Sequence, residues 1–528
     1  MSKGNENVRK LLENRALEFS DKPFLFSEAD SRSWTYSEFN SAVNRTANLL
    51  SSHGIGHGDV VSLLMPNSAE YVIAYFACWK LSAVAGPINS LLKRDEIAWV
   101  VENSGSKLLL EGRFTDARDG EPWPVRSIDF DNVDDATKGY SDELREIEIT
   151  PDAEAIIIYT SGTTGKPKGC LLTHGNLVAN AGQIAGWMGF GPDDRLLTVM
   201  PLFHMNAVSV TTLTALYAGG STVVSPRFSA SRFWQVIEKY RITSFGSVAT
   251  MLSMLLSSRQ SGVENRHDEK VEESSIEEEV RLAIPESLLP TNDSRPSTLR
   301  FAMCGSAPVP PDLLVRFEET FGCLVIEGYG LSESTCRSTF NPPSADRRPG
   351  SCGMPIGNEM KIFDEDDIEV ANGTLGEIVL RGQNIFKSYF KNEEATEKAF
   401  RDGWFHTGDV GYRDDDGFFY IADRKSDMII RGGENIYPRE IDDLLYGHPA
   451  VDAAAVIGVP DDLYGEEVAA FVVLKPGSNV TPDELIDYCK QHLADYKCPK
   501  TVHFLDEIPK GPTGKLLKRE LARRHSGQ

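Results

Sequence analysis

The sequence predicts a mixed α/β fold divided into two domains, and three observations support this. The chain has 528 residues, which is too long for one compact core. Strand-like and helical patterns alternate through the first half, as they do in sheets flanked by helices. The pattern changes near residue 424, where a shorter block of mixed strands and helices begins. We therefore expect a large domain over residues 1–424 and a small α+β domain over residues 425–528.

In the first half, the spacing of apolar residues predicts an amphipathic helix at Tyr36–His53, a strand at Val60–Met65 and a helix at Ser68–Leu81. A further helix is predicted from Lys93 to Asn103. The apolar run Ala155–Tyr159 indicates a buried strand that leads directly into a loop rich in Gly, Ser and Thr.

Residues 258–297 break this alternation. The segment is crowded with Asp and Glu and ends in a polar, proline-containing stretch. Such a composition cannot bury enough apolar surface to offset the entropy lost on ordering. We expect a solvated acidic insertion at the surface, with one short helix near Ile276–Ile284.

The last hundred residues have their own pattern of strands and helices. Strand-like runs occur at Ala453–Val459 and Ala469–Leu474. Helical stretches surround them at Pro438–Leu445, at Thr481–His492 and in the basic segment Lys515–Arg524. This mixture is typical of a small α+β domain.

The charge and composition of the chain limit the classes of molecule that it can be expected to bind. The chain has 54 Lys and Arg against 78 Asp and Glu, a formal net charge of −24, which argues against nucleic acid or an anionic membrane. A nucleotide needs only a local cluster of donors and stays possible. No apolar run has the length of a membrane span, and no secretory signal is evident at the N-terminus. The eight cysteines form no C-x-x-C pair, so we expect reduced thiols in the cytoplasm.

The strongest local motif is YTSGTTGKPKG at residues 159–169. Its glycines permit close backbone approach, its hydroxyls and two lysines supply donors, and successive backbone N–H groups form a site for a phosphate. It is not a Walker A loop, because that spacing requires Gly where this chain has Thr160.

The loop resembles the phosphate loop of the adenylate-forming superfamily, which contains acyl-CoA synthetases, peptide-synthetase adenylation domains and beetle luciferases. Six further motifs of that family follow in order: PLFH (201–204), CGSAP (304–308), EGYGLSE (327–333), WFHTGD (404–409), DRKSDMIIRGGENIYPREID (423–442) and GPTGK (511–515). The resemblance implies a large N-terminal domain of β-sheets flanked by helices plus a barrel-like subdomain, and a small mobile C-terminal domain.

The resemblance implies ATP and Mg²⁺ as cofactors. Glu333, a hard carboxylate, would hold Mg²⁺ together with the Thr160 hydroxyl. Tyr329 would stack on adenine, Asp409 would accept hydrogen bonds from the ribose hydroxyls, and Arg424 would bind phosphate or ribose oxygens. The other nucleotide-binding residues implied are Ser161, Gly162, Thr163, Thr164, Gly165, Lys168, Gly305, Ser306, Ala307, Glu327, Gly328, Gly330, Ser332, Ile421 and Lys515.

Three residues are candidates for catalysis. The Lys515 ammonium would bridge the attacking carboxylate and the α-phosphate, and Glu333 would act through the metal. The resemblance makes His204 an aromatic gate beside the acyl pocket, with a buried, hydrogen-bonded histidine as the alternative. His204 is not a candidate base, because a carboxylate substrate is already ionised near neutral pH.

Transfer to a thiol needs different surroundings around the same carbonyl, and in the family the small domain rotates to provide them. The pivot position is Ser426 here, where relatives usually have Asp or Lys. Gly432 and Gly433 would let a pantetheine arm pass close to the backbone. Tyr464 and Lys500 resemble the coenzyme A nucleotide site. Cys498 stands where some relatives carry Arg, which leaves a carrier-protein phosphopantetheine open as the acceptor.

The identity of the acid is only partly constrained. Met205 follows His204, whereas peptide-synthetase domains place Asp there, so an α-amino acid is disfavoured. The stretches RFSASRFW (227–234) and ESTCRSTFNPP (333–343) resemble ligases for small or dicarboxylic acids, including oxalate and malonate. Arg337 would contact the substrate together with His204 and Ser306, by pairing with a second carboxylate. A structural salt bridge of Arg337 is the alternative, and aliphatic monocarboxylates and aryl acids stay open.

The predicted function is an ATP-dependent acid–thiol ligase that forms an acyl-AMP, releases pyrophosphate and transfers the acyl group to coenzyme A. The alternative is a stand-alone adenylation enzyme that loads a carrier protein. A luciferase-like oxygenase and a non-catalytic scaffold are less consistent with the motifs. The expected partners are a carboxylic acid and CoA or an acyl carrier protein, without nucleic acid or a membrane span, in a monomer or homodimer.

Overall fold

The structure is a computed structural model that describes residues 7–112, 122–160, 167–264, 298–305, 309–344, 346–424, 427–431, 434–461, 464–510 and 516–525. The helices are α1 (Val8–Glu18), α2 (Tyr36–Ser52), α3 (Ala69–Lys80), α4 (Arg94–Ser104), α5 (Val133–Ala136), α6 (His174–Met188), α7 (Thr214–Ala218), α8 (Phe233–Lys239), α9 (Ala249–Glu264), α10 (Pro311–Phe321), α11 (Glu393–Ala399), α12 (Pro438–Tyr446), α13 (Pro482–His492) and α14 (Lys518–His525). A π-helix spans Asn206–Leu213, and short 3₁₀ turns span Ser332–Ser334 and Asp495–Lys497.

The strands are β1 (Pro23–Ser27), β2 (Ser33–Thr35), β3 (Val60–Leu64), β4 (Val84–Pro87), β5 (Leu108–Glu111), β6 (Ser127–Asp129), β7 (Glu154–Thr160), β8 (Lys168–Thr173), β9 (Arg195–Thr198), β10 (Ser221–Val224), β11 (Ser244–Ser247), β12 (Phe301–Cys304), β13 (Leu324–Glu327), β14 (Thr339–Phe340), β15 (Met354–Pro355), β16 (Glu359–Phe363), β17 (Gly376–Arg381), β18 (Ser388–Tyr389), β19 (Phe400–Arg401), β20 (Trp404–Arg413), β21 (Phe419–Arg424), β22 (Ile429–Arg431), β23 (Glu434–Ile436), β24 (Val451–Asp461), β25 (Gly465–Leu474) and β26 (Thr501–Phe504).

Two seven-stranded sheets dominate the first 400 residues. The first has the order β13-β12-β11-β9-β10-β1-β2 and the second the order β18-β8-β7-β4-β3-β5-β6. Neighbouring strands are parallel in both sheets except at the edges formed by β2, β8 and β18. Parallel strands joined by helices are covered on both faces, which agrees with the predicted β–α alternation.

Helix α3 lies between the two sheets, since it contacts β1 of the first sheet and β3 and β4 of the second. Every residue of α3 is buried, among them Tyr71, Tyr75, Phe76 and Trp79. A helix that is apolar on all sides belongs in a core rather than at a surface. The core of the large region therefore extends continuously through both sheets.

Helix α2 shows how the local sequence sets an element boundary. Thr35 Oγ1 accepts the Glu38 N–H at 3.1 Å, and a Glu38 carboxylate oxygen accepts the Thr35 N–H at 2.8 Å. This reciprocal pair satisfies two N–H groups that a helix start leaves free. The helix consequently begins at Tyr36, as predicted.

A five-stranded antiparallel sheet with the order β16-β17-β20-β19, in which β21 pairs with β20, occupies the place of the predicted barrel-like subdomain. Its strands end where the last region begins. That region contains the sheet β23-β22-β25-β24, with β26 paired to β25. Helices α12 and α13 pack on one face of this sheet and α14 on the other. It is a small α+β unit, as predicted.

The predicted elements that fall on described residues match the structure within a few residues at each end, and the predicted helix at 276–284 lies outside the described part of the chain. Helix α9 continues through Glu264, past the predicted start of the acidic insertion at residue 258, and residues 265–297 lie outside the described part of the chain. All eight cysteines lie in the described ranges, where they are buried and form no disulfide. None of the helices in the described ranges combines the length and apolar character needed to cross a bilayer.

Candidate active site

Two strand ends form the floor of the candidate site. Strands β12 and β13 are parallel neighbours, and their carboxyl ends lead into Gly305 and Gly328–Gly330. Open α/β sheets bind ligands at such ends. A Cβ on Gly330 would collide with the carbonyl group of Cys336, because the chain returns against this turn. The turn therefore requires glycine for its packing.

A hydrogen-bonded group of three side chains covers one end of the floor. Tyr329 Oη donates to Asp409 Oδ2 at 2.6 Å, and Arg424 Nε contacts Asp409 Oδ1 at 3.1 Å. Burial and the neighbouring Asp409 carboxylate raise the pKa of Tyr329, so its hydroxyl stays protonated. Asp409 in turn raises the pKa of Arg424. Asp409 and Arg424 face each other across the β20–β21 pair, which fixes their geometry.

Glu333 lies in the 3₁₀ turn that follows the glycine turn. Burial raises the pKa of its carboxyl group, and Tyr389 Oη donates to Glu333 Oε1 at 2.9 Å. The next turn is strained, since Thr335 has φ 65° although it is β-branched. Its hydroxyl donates to the Asn384 carbonyl oxygen at 2.6 Å, which holds the turn in place.

The base of the Gly/Ser/Thr loop lies beside Glu333. Thr160 and Lys168 pair across β7 and β8, and the Lys168 ammonium lies 5.1 Å from the centre of the Tyr389 ring. Within the described residues there is no cluster of three His, Cys, Asp or Glu that would hold a metal alone. One carboxylate and one hydroxyl fit Mg²⁺, which in nucleotide sites is held by one or two carboxylates and the phosphates. Glu333 and Thr160 thus suit an ion that arrives with ATP.

A cavity with a volume of 790 Å³ opens above the glycine turn. This is within the usual range for small-molecule sites. Eight residues singled out from the sequence line it: Gly305, Glu327, Gly328, Tyr329, Gly330, Asp409, Ile421 and Arg424. Burial raises the pKa of Glu327 to about 8, so this carboxyl group is mostly neutral near pH 7.

The last hundred residues contribute charged side chains to the same cavity. Asp423 Oδ2 accepts the Arg439 N–H at 2.9 Å, and Lys518 Nζ contacts Asp442 Oδ2 at 2.6 Å. All four residues line the cavity, although sequence reasoning did not single them out. Asp423, Arg439 and Asp442 do lie within the 423–442 motif, which was the available signal.

Two predicted acyl-pocket residues lie outside the lining of this cavity. His204 stands just before the π-helix, and burial lowers its pKa to about 4, so it is neutral near pH 7. Arg337 is 1% exposed, and Asn180 Nδ2 donates to its backbone oxygen at 2.7 Å. A Cβ on Gly305 would lie 2.6 Å from Arg337 Nη2, so the guanidinium lies directly beside the floor of the cavity.

The predicted coenzyme A residues Tyr464 and Lys500 lie on the small region and do not line the cavity. The Arg431 guanidinium lies 4.2 Å from the centre of the Tyr464 ring. Lys500 Nζ contacts Asp461 Oδ2 at 3.4 Å and Glu467 Oε2 at 3.5 Å. The cation of Lys500 is therefore paired within the protein in this arrangement. Ser332, another predicted nucleotide contact, begins the 3₁₀ turn that carries Glu333.

Several predicted residues lie outside the described part of the chain and stay predictions. They are Ser161, Gly162, Thr163, Thr164, Gly165, Ser306, Ala307, Ser426, Gly432, Gly433 and Lys515. Their sequence neighbours are informative in one case. Lys510 and Leu516, which precede and follow the segment with Lys515, pair with each other and line the cavity.

Comparison with known proteins adds independent findings. The family model described as AMP-binding enzyme matches residues 12–390, and the model of its C-terminal domain matches residues 440–515. The chain is 34% identical to sulfoacetate–CoA ligase of Cupriavidus necator, over 98% of this chain and 97% of that protein. It is also 34% identical to oxalate–CoA ligase of Arabidopsis thaliana, over 98% of each.

Among solved structures, O-succinylbenzoate coenzyme A synthetase of Bacillus subtilis in complex with AMP superposes with a TM-score of 0.82. The two sequences are 35% identical, and the match covers 97% of both chains. This agreement extends over the large region and the small one, and it confirms the predicted fold class. The chain belongs to the AMP-binding enzyme family, the adenylate-forming superfamily that its motifs predicted.

Proposed function

We propose that this chain is an ATP-dependent acid–CoA ligase that works in two steps. In the first, the carboxylate of the acid attacks the α-phosphorus of ATP, and pyrophosphate leaves. In the second, the sulfur of CoA attacks the acyl-adenylate carbonyl carbon, the thiol proton is lost, and AMP leaves. The observation that carries the proposal is the group of Tyr329, Asp409 and Arg424 at the cavity wall.

This group supports nucleotide binding for a physical reason. The Asp409 carboxylate is already oriented by Tyr329 and Arg424, and it retains acceptor capacity for vicinal ribose hydroxyls. The Arg424 guanidinium keeps donors for oxygen atoms of the ligand beyond the one used on Asp409. Preorganised donors and acceptors lose little entropy when the nucleotide binds.

Two further groups would act on the reacting phosphate. Glu333 and Thr160 would hold Mg²⁺, which supplies positive charge to the phosphate oxygens when it is bound. Lys515 would place an ammonium between the carboxylate and the α-phosphate, where negative charge passes during adenylation. The cavity-lining residues on either side of Lys515 support this assignment.

The acceptor is the finer part of the proposal. Coenzyme A is supported by the CoA ligases among the relatives, including sulfoacetate–CoA ligase and oxalate–CoA ligase. Tyr464 presents a 39% exposed ring that a CoA adenine could stack on. We further infer a monomer or homodimer in the cytoplasm, a compartment that supplies ATP and CoA and keeps the eight buried cysteines reduced.

One experiment tests the proposal. The full chain is incubated with ATP, Mg²⁺ and a panel of carboxylic acids, with CoA, with a phosphopantetheinylated carrier protein, or with neither. We expect acid-dependent pyrophosphate release, and an acyl-CoA product when CoA is present. Acyl transfer to the carrier protein but not to CoA would replace the proposal with carrier loading. No pyrophosphate release with any acid would refute it.

A further inference from the structure

We propose that the acid substrate carries a second anionic group, a carboxylate or a sulfonate, and that Arg337 binds it. This inference rests on the proposed acid–CoA ligase function and specifies its substrate class. It follows from a buried cation whose donors the described protein leaves largely unused.

Arg337 is among the largest fully buried side chains, at 1% exposure. Its Nη1 donates to the carbonyl oxygen of its neighbour Cys336 at 3.3 Å, a long bond. Its Nε and Nη2 have no hydrogen-bond partner within the described ranges. No Asp or Glu among the described residues forms an ion pair with it, and it makes a cation–π contact with Phe340, whose ring centre lies 5.5 Å from the guanidinium carbon.

This observation excludes the structural salt bridge that the sequence left open, as far as the described chain extends. Burying an ionised group without an opposite charge is strongly unfavourable. The backbone of Arg337 is nevertheless held firmly, because Asn180 and Asn384 both donate to its carbonyl oxygen, at 2.7 Å and 3.3 Å. The protein therefore fixes the backbone of Arg337 in place but does not supply an opposite charge for its guanidinium.

A second buried polar side chain lies over the same face of the sheet. Asn206 is 4% exposed, and neither atom of its amide has a partner in the described residues. A Cβ on Gly246 would lie 2.8 Å from Asn206 Oδ1, just as one on Gly305 would lie 2.6 Å from Arg337 Nη2. Each polar group thus occupies the space that a side chain on the strand would fill.

The register of the sheet relates these two positions. Gly246 on β11 pairs with Met303 on β12, and Gly305 is two residues beyond Met303. Residues two apart project from the same face, so Gly246 and Gly305 face the same side of the sheet with their Cα atoms about 8 Å apart, and the amide and the guanidinium lie on that side. Gly305 also lines the nucleotide cavity, so the polar pocket formed by Arg337 and Asn206 adjoins the place where the acid must react.

The chemistry of the pocket selects its ligand. A guanidinium offers parallel N–H donors that match a carboxylate or a sulfonate, and an amide adds one more donor or acceptor. An anion at this position would satisfy the donors of Arg337 and remove the penalty of its burial.

The anion cannot be the carboxylate that reacts. That group loses its charge when it becomes an adenylate and remains uncharged as a thioester, so Arg337 would be unpaired again after the first step. A second anionic group keeps its charge through all three species. Glu333 and Arg337 are four residues apart in the chain, so their Cα atoms lie at most about 14 Å from each other, a span that a short acid can bridge.

Matched pairs of acids test the proposal on the full chain. Succinate is compared with its monoamide, and sulfoacetate with methylsulfonylacetate, so that each pair differs in charge but little in shape. We expect wild-type kcat/KM for acyl-CoA formation to favour at least one charged member by about 100-fold or more. The pair with the larger preference distinguishes a carboxylate subsite from a sulfonate subsite.

Variants assign the preference to Arg337. Arg337→Met should abolish the preference for the charged acid. Arg337→Lys should retain part of this preference, because the positive charge stays while the paired N–H donors of the planar guanidinium are lost. The melting temperature of ligand-free Arg337→Met should equal or exceed that of the wild type, since an unpaired buried cation has been removed. Arg316→Gln, an exposed arginine on α10, is the matched control and should change none of these values.

The possible results distinguish failure of this inference from failure of the proposed function. Equal use of the charged and neutral acids by the wild type would overturn the inference and leave the proposed function intact. Equal losses on both members of a pair in Arg337→Met would also overturn it, provided that this variant melts like the wild type. If Arg337→Met does not fold, the wild-type preference and the partial preference of Arg337→Lys decide instead. No pyrophosphate release with any acid would remove the proposed function and the inference with it.

Discussion

Arg424 lines the nucleotide cavity and Arg337 lies beside its floor, but the protein treats their charges in opposite ways. Arg424 contacts the Asp409 carboxylate at 3.1 Å, and the same carboxylate accepts the Tyr329 hydroxyl. Arg337 is more deeply buried and has no carboxylate beside it in the described structure. One arginine is neutralised before any ligand binds, and the other is not.

The difference corresponds to what each end of the site has to recognise. The nucleotide is the same in every turnover, so the protein can supply counter-charges and hold them in the bound geometry. The acid is the variable part among related ligases, and a buried, unsatisfied cation rejects acids that do not bring an anion. Paired charges thus serve affinity at one end, and an unpaired charge serves selection at the other.

The largest expected effect tests whether Lys515 acts in the adenylation step and not in the transfer to CoA. Lys515→Ala should slow acyl-CoA formation from acid and ATP by about 10²–10³-fold, the loss typical of one preorganised donor. Formation from a supplied acyl-adenylate and CoA should change little, because the charge that Lys515 stabilises has gone by then. Single-turnover measurements by the two routes give the comparison. Lys490→Ala, on the exposed face of α13, is the control, and equal losses by both routes would contradict the assignment.

The next prediction removes the negative charge that pairs with Arg424. Asp409→Asn keeps the shape of the side chain but removes the charge opposite Arg424. We expect kcat/KM for ATP to fall by about 100-fold, because a buried charged hydrogen bond is lost and Arg424 is left unpaired. The KM for CoA should stay within a factor of about three. Asp415→Asn, at an exposed position between β20 and β21, should leave kcat/KM for ATP unchanged. An unaltered value in Asp409→Asn would show that this group does not bind the nucleotide.

A third prediction concerns Glu327, a residue of the nucleotide cavity whose carboxyl group is mostly protonated and therefore uncharged near pH 7. Burial raises the pKa of Glu327 to about 8. A carboxyl group whose folded pKa is raised stabilises the fold fully below its unfolded pKa, and this contribution is lost as the pH rises through the folded value. Between about pH 6 and about pH 9 the wild type should lose about 2–3 kcal/mol that Glu327→Gln does not lose. Urea unfolding at both pH values measures this, and parallel pH dependence of the two proteins would argue against a neutral Glu327.

The smallest effect is expected far from both arginines. Replacing residues 265–297 with a short Gly/Ser linker should change Tm by no more than about 2 °C and leave turnover nearly unchanged, because the segment is too acidic to contribute to the core. Leu252→Ala on the preceding helix α9 is the contrast, since Leu252 is fully buried and its truncation should cost about 2–5 kcal/mol. A large loss in the linker variant would show that the insertion has a structural role.

Sequence patterns were sufficient to predict the helices, the strands and the glycine turn at 328–330. They were less able to predict the side-chain contacts around that turn. Helix α2 begins where the spacing of its apolar residues predicts, and the Thr35–Glu38 pair that caps it joins residues only three apart. The bond from Tyr389 to Glu333 joins residues 56 apart and has no local signal. The sequence left the partner of Arg337 open for the same reason, because only the folded chain determines whether a carboxylate lies within reach.

The two sides of the polar pocket differ in how easily substitutions can alter them, because different atoms lie against Gly246 and Gly305. A side chain at Gly246 would meet the Asn206 amide at 2.8 Å, and a change of Asn206 would release that obstacle. A side chain at Gly305 would meet both Arg337 and the backbone oxygen of Gly328, at 2.7 Å, and no substitution removes a backbone atom. Evolution or protein engineering can therefore remodel the pocket from the Gly246 side in paired steps, whereas on the Gly305 side only the identity of residue 337 is open to change.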